Sequence, residues 1–269
     1  MEHLYIRSFQ NPKVKALVRL KESRERRKKG RFIIEGRREL FRAIDCGVTV
    51  EQVYYAPEYF GESEKVELAM RFSDFGMEVI RLSQAVFEKC SYRKGPDGLI
   101  GIGQVRSQSL DNLPRSRCPF YLVVEGIEKP GNLGALIRTA DAAGVDAVLV
   151  TDPVADLYNP NVIRASQGSV FRVFVTVGDR DACFNKLESL DVSILPVSPK
   201  SRTRYWNADL RQPIALIMGS EKEGLSEFWL DHGGLGITIP MVGISDSLNV
   251  SAAAAIVLFE AVKQRNIRK

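Results

Sequence analysis

The chain predicts an α/β protein in two parts: a small N-terminal α/β sandwich, then a larger C-terminal domain in which helices alternate with a mostly parallel sheet. Three observations carry this. Short apolar runs alternate with amphipathic, helix-like stretches along most of the 269 residues. The alternation breaks once, at RSQSLDNLPRSR (106–117), a polar stretch with Pro114 and no periodicity that reads as a linker. Just beyond it, PFYLVVEG is a near-continuous apolar run, the pattern of a strand buried on both faces of a parallel sheet. The expected domains are therefore 1–105 and 118–269, joined by 106–117.

The elements follow in order. Asn11 and Pro12 form a cap and first-turn pair, so residues 11–29 predict one basic helix. His3 falls in a tail. RFIIEG (31–36) is a strand and RRELFRAIDCG (37–47) a helix stopped by Gly47. VEQVYYA (50–56) is a strand, 63–76 a helix ending in Gly76, MEVIRLS (77–83) a strand, 84–90 a short helix and GLIGIGQV (98–105) a strand. After the linker come a strand from Pro119, a helix from Asn132 to Gly144, and the strand VDAVLVT. Residues 160–167 predict a short helix and VFRVFVTVG a strand. ACFNKLESL is a helix, SILPVS and PIALIMG strands, SEFWLD a short helix, LGITIPM the last strand and 249–265 the last helix. Ligands in such a domain are expected beyond the strand C-termini.

Composition narrows the function. The hydrophobic content of 45% and charged content of 26% are those of a globular protein. No apolar run approaches the ~20 residues of a membrane span. MEHLYIRSFQNPKVK lacks the apolar core of a secretion signal, which makes a cytoplasmic location the expectation. Cys46, Cys90, Cys118 and Cys183 are scattered, which disfavours a disulfide framework or zinc site, and two histidines supply little for a metal or for acid–base work. Thirteen Lys or Arg stand against four Asp or Glu between Lys13 and Arg42, a local net of +9, so the rest of the chain carries −4 of the total +5. That asymmetry favours a nucleic-acid partner.

Common nucleotide motifs are missing. Gly98, Gly101 and Gly103 have the wrong spacing for a dinucleotide loop, and neither a P-loop nor a Gly-x-Ser-x-Gly elbow occurs. Three other stretches stand out. In EGIEKPGNLGALIRTADAAGV, Gly126, Pro130 and Gly131 make a turn, with Asn132 at a helix mouth and Arg138 six residues on. At ~100° per residue these two lie about 120° apart, so spacing leaves open an N-cap and a surface charge. In ALIMGSEKEGLS, a strand ends at Met218, Gly219-Ser220 permits close approach of a ligand, Glu221 follows, and Ser226 is a candidate N-cap. In IPMVGISDSLNVSAAAAIVLFE, a strand, a polar turn and a helix opened by Asn249 leave unpaired amides at a bend.

In this order the three stretches resemble the three motifs of the SpoU, or TrmH-like, branch of the SPOUT methyltransferases, over roughly the last ~150 residues. The resemblance implies a SPOUT domain with a deep trefoil knot, S-adenosylmethionine as cofactor, and transfer of its methyl group to a ribose 2′-hydroxyl of RNA. It places Asn132, Arg138, Glu221, Ser247 and Asn249 in the active site, and Met218, Gly219, Ile239, Met241 and Leu248 around the cofactor. It also implies a homodimer, and the chemistry needs no metal. Arginine is a poor base, so Arg138 is expected to stabilise the developing alkoxide and the adjacent phosphate, which leaves the proton acceptor open. Arg164, Ser166 and Gly168 fall in a further stretch similar to the family, which implies a contribution to the RNA site, with Arg164 as the expected RNA contact. The N-terminal part resembles the ribosomal-protein-like substrate-binding domain that precedes many SpoU domains, with phosphate contacts expected from Arg26, Arg27, Lys28, Lys29, Arg31 and Arg37. That extra domain favours ribosomal over transfer RNA. A non-catalytic RNA-binding assembly factor and a transfer-RNA methyltransferase are the alternatives.

Overall fold

The structure, a computed structural model, describes residues 3–62, 64, 68 and 77–266. The helix expected over 63–76 lies almost wholly outside the described residues. Two compact units form: residues 1–106 with 157–171, and residues 107–156 with 172–269.

The first unit has a five-stranded sheet in the order β1-β4-β3-β5-β2: β1 (Leu4–Ile6), β2 (Arg31–Glu35), β3 (Val50–Tyr55), β4 (Glu78–Leu82) and β5 (Leu99–Gln104). The β1–β4 and β4–β3 pairs are parallel, and β5 runs antiparallel to both β3 and β2. Residues 4–6 are thus an edge strand where a tail was expected, and His3 Nδ1 lies 3.0 Å from the Tyr55 hydroxyl. The glycines of β5 serve packing: a Cβ on Gly101 would come within 2.5 Å of Leu40 Cδ1.

The single helix expected over 11–29 is two, α1 (Pro12–Arg19) and α2 (Ser23–Lys29). Asn11 caps α1, its side chain accepting from the Lys13 amide. Glu22 is extended, and the buried Arg26 donates from Nη1 to the carbonyls of Leu20 (2.9 Å) and Lys21 (2.7 Å). Those carbonyls are orphaned by the helix end, and one guanidinium satisfies both. α3 (Arg37–Asp45) and α4 (Gln84–Cys90) complete this part of the unit. Residues 157–171 also belong to it: Tyr158 stacks on Phe32 with ring centroids 4.4 Å apart.

The second unit has a seven-stranded parallel sheet in the order β10-β12-β9-β11-β6-β7-β8. Its strands are β6 (Phe120–Glu125), β7 (Ala147–Thr151), β8 (Phe174–Gly178), β9 (Ser193–Val197), β10 (Thr203–Arg204), β11 (Ile214–Met218) and β12 (Ile237–Thr238). The central strands β6, β7 and β11 are buried at every residue, as continuous apolar runs require. The helices are α5 (Pro130–Ala143), α6 (Pro160–Ala165, in the excursion to the first unit), α7 (Arg180–Ser189), α8 (Glu227–His232) and α9 (Val250–Asn266). Asp179 caps α7 by accepting from two amides.

Two expectations are corrected, and one strand was not expected. β8 begins at Phe174, because Ser169–Phe171 forms a 3-10 turn where a longer strand from Val170 was expected. β12 spans two residues rather than seven, since Pro240 has no amide to donate and the chain leaves the sheet. β10 had no counterpart in the sequence reading. Among the described residues no helix is long and apolar enough to cross a membrane, and no group of three or more His, Cys, Asp or Glu is placed to hold a metal ion.

Candidate active site

A cavity of about 330 Å³ opens at the C-terminal ends of β9, β11 and β12, within the size range of small-molecule sites. Val197 and Ser198 reach it from β9, Met218 and Gly219 from β11, and Ile239 lies just past β12. Met241, Ser247 and Leu248 close it from the loop before α9. All five residues expected to hold the cofactor line this one cavity. Its wall at Ser220–Leu225 is a tight turn, in which Ser220 and Gly224 exchange two backbone hydrogen bonds of 3.0 Å. A Cβ on Gly219 would lie 2.2 Å from the Gly224 backbone, so only glycine allows that turn.

The turn is anchored from below. Glu125, buried at the end of β6, accepts from the Ser226 amide and from Ser226 Oγ. Ser226 stands at the N-cap position of α8, yet its side chain makes no capping bond and serves the carboxylate instead.

A second hollow, also about 330 Å³, is lined by Ile127, Glu128, Lys129, Asn132, Glu221 and Lys222. Glu221 and Lys222 belong to both cavities and form the wall between them. Here the side chains converge. Asn249 donates from Nδ2 to Glu221 Oε1 in a short hydrogen bond, and lies 3.5 Å from Asn132 Oδ1. Lys129 Nζ is 2.6 Å from Glu221 Oε2. Asn249 also opens α9, its Oδ1 accepting from the Ser251 amide, and Ser251 Oγ donates to the Asn132 carbonyl. Asn132 itself is the third residue of α5, whose N-cap is Lys129. The Lys129 ammonium, with Asn132 and Asn249, holds the Glu221 carboxyl below the usual carboxylate range, and Glu221 in turn raises Lys129. Both stay charged at neutral pH, so neither is matched to take a proton there.

The structure thus brings Asn132, Glu221 and Asn249 together, and Ser247 to the neighbouring cavity wall. It leaves Arg138 apart. That side chain is exposed on α5, lines neither cavity and makes no hydrogen bond or ion pair among the described residues. Lys129 is the participant that sequence reasoning missed, although it sits inside the first quoted motif. Ser198 was findable as the residue after a parallel strand.

The basic residues divide as well. Arg27, Lys28 and Lys29 are exposed on the last turn of α2. Arg31 pairs with Glu51 at 2.7 Å and Arg37 with Glu64 at 2.8 Å. Arg26 is corrected: buried on two carbonyls, it cannot reach a phosphate. Arg164 is exposed, whereas Ser166 is buried with Oγ bonded to the Ile163 carbonyl.

Residues 119–259 match the SpoU rRNA Methylase family, and residues 11–101 match the MRM3-like substrate binding domain. The chain belongs to the SpoU rRNA methylase family. A solved RNA 2′-O ribose methyltransferase is similar to this SpoU methylase at 38% identity and a TM-score of 0.86, covering 97% of this chain and 99% of that one. An AdoMet-bound rRNA methyltransferase from Sinorhizobium meliloti superposes with a TM-score of 0.87 at 27% identity, covering 96% and 97%. The 23S rRNA (guanosine(2553)-2′-O)-methyltransferase RlmP of Bacillus subtilis is 28% identical over 94% of this chain and 97% of its own length.

Proposed function

We propose that this protein transfers a methyl group from S-adenosylmethionine to a ribose 2′-hydroxyl of ribosomal RNA. The observation that carries this reading is the shared wall: Glu221, tied to Lys129, Asn132 and Asn249, separates a mixed apolar–polar cavity from a polar hollow beside it.

The cavity fits S-adenosylmethionine. Met218, Leu225, Ile239 and Leu248 give apolar walls for an adenine ring and a thioether. Pro240–Leu248 makes no backbone–backbone hydrogen bond among the described residues, which leaves amides and carbonyls for the polar edges of a ligand. When bound, the cofactor supplies an electrophilic methyl group. The chain's own part is to hold the ribose in line with it, which a rigid, cross-bonded cluster does well. Asn132 and Asn249 are fixed by Glu221, and Lys129 places a positive charge where alkoxide develops. Arg138 is exposed for a phosphate of the RNA. The reacting oxygen forms a bond to the methyl carbon as the carbon–sulfur bond breaks, and its proton passes to solvent.

A homodimer, a cytoplasmic location and a trefoil knot complete the proposal. Val242 and Ile244 are fully exposed in the loop before α9, and Phe259 on α9 is half exposed, which supports a second copy covering them. The insertion of β11 between β9 and β6, with α9 returning to pack on α5, supports the knot.

The test supplies labelled S-adenosylmethionine with unmodified ribosomal RNA. Label beside an alkali-resistant linkage is expected. Label beside an alkali-labile linkage would mean a base is methylated. RNA binding with no label in any RNA, partly assembled subunits included, would leave an assembly factor.

A further inference from the structure

Between Asp191 and Asp209 the chain has no acid, and the cations Lys200, Arg202 and Arg204 fall at every second position. All three are exposed, and none forms a salt bridge among the described residues. Asp209, the acid nearest in sequence to Trp206, is already held by Arg211 through bonds of 2.7 and 3.0 Å. Within this segment Thr203 and Arg204 form β10, at the edge of the seven-stranded sheet. At its end Tyr205 and Trp206 meet edge to face, centroids 4.8 Å apart, and the Arg204 guanidinium lies 5.7 Å from the Trp206 ring. Trp206 is 43% exposed, an unusual state for a large aromatic. Pro199 and Lys200 line the cofactor cavity, so Arg204 lies at most about 14 Å of extended chain from it.

We propose that Lys200, Arg202, Arg204 and Trp206 form a docking surface for an unpaired stretch of RNA beside the target nucleotide. The inference rests on the RNA methyltransferase reading and adds to it where the strand leaves the catalytic unit. The chemistry is that of single-strand recognition. Alternating cations track successive phosphates, and an aromatic face accepts any base by stacking, with arginine adding a cation–π contact. Unpaired RNA suits it better than a duplex, whose bases are stacked on each other and offer no face to a side chain. A protein partner would meet three uncompensated cations around one ring, and the absence of acid across this stretch gives the surface one sign of charge for a polyanion.

The chain has two tryptophans, and Trp229 is fully buried, so Trp206 is the reporter. The full-length protein is titrated with single-stranded ribosomal RNA fragments while tryptophan fluorescence is followed. Quenching is expected in the native protein and is lost in Trp206→Phe, which keeps most of the affinity. Trp206→Ala is expected to weaken RNA binding about tenfold. Arg202→Gln with Arg204→Gln is expected to lower the log–log salt slope by about 1.4. Cofactor affinity stays unchanged in all three. Native RNA binding and methyl transfer without quenching, or variants with native affinity and salt slope, would overturn the docking surface alone. A fall in molecular mass by light scattering in Trp206→Ala would reassign the patch to contact between copies. If the native protein neither binds nor methylates RNA, both readings fall together.

Discussion

Glu125 accepts two hydrogen bonds from Ser226, one from its amide at 2.8 Å and one from its hydroxyl at 2.7 Å. The pair joins the end of the first strand of the parallel sheet to the turn that walls the cavity proposed for the cofactor, 101 residues further along the chain. Removing the hydroxyl in Ser226→Ala strands one oxygen of a buried carboxylate. The expected cost is about 1–3 kcal/mol of stability, read from urea denaturation, with weaker cofactor binding because Gly224 and Leu225 lose their anchor. An unchanged denaturation midpoint would mean that the hydroxyl contributes nothing there.

Glu221 has its pKa depressed from the ordinary 4.5 by Lys129, Asn132 and Asn249. A group lowered in this way adds stability that is complete above its unfolded value and is lost as pH falls through the folded one. Glu221→Gln should therefore be less stable than the native protein above about pH 4.5, and the difference should shrink as the pH falls below that value. Methyl transfer by the same variant should drop about 10²-fold through loss of orientation, with no carboxylate step in the native rate profile above pH 5. A native step near pH 6 would make Glu221 a base after all.

Arg138→Ala should lower methyl transfer through loss of its contact to an RNA phosphate, with the salt slope of RNA binding reduced by about 0.7–0.9, while cofactor binding measured by calorimetry stays within about twofold, since Arg138 lines neither cavity. Native turnover in that variant would remove Arg138 from the mechanism.

The basic N-terminal segment should separate into two behaviours. Arg26→Ala leaves the Leu20 and Lys21 carbonyls without their donor and is expected to lower stability by about 1–3 kcal/mol. Neutralising Arg27, Lys28 and Lys29 together should leave stability alone and reduce the salt slope of RNA binding by about 2–3. The opposite pattern would reverse the assignment.

Arg26 also marks where the sequence stopped being legible. A run of charged residues with good helix propensity reads as one helix, and nothing local announces that a guanidinium turns inward to close a helix end. The buried strands β6, β7 and β11 were legible because continuous apolar runs have one comfortable place in an α/β fold. β10 was not, because Thr203 and Arg204 pair at an edge and bury little. In the site, Asn132, Glu221 and Asn249 came from motif resemblance. Their convergence depends on β6, β11 and α9 lying side by side, a long-range fact that spacing does not contain. Lys129 escaped for the same reason: in EGIEKPGN it is an ordinary charge until Glu221, 92 residues away, is brought beside it.

The segment Pro240–Leu248 carries no backbone ladder of its own. Its amides should therefore exchange with heavy water nearly as fast as those of an unfolded peptide, while those of β11 and β6 exchange slowly. A ligand seated against Met241 and Leu248 must restrain this stretch, and its intrinsic affinity is reduced by the conformational freedom it removes. Whichever of cofactor and RNA arrives second meets a segment already restrained, so each should tighten the other's binding by the same factor.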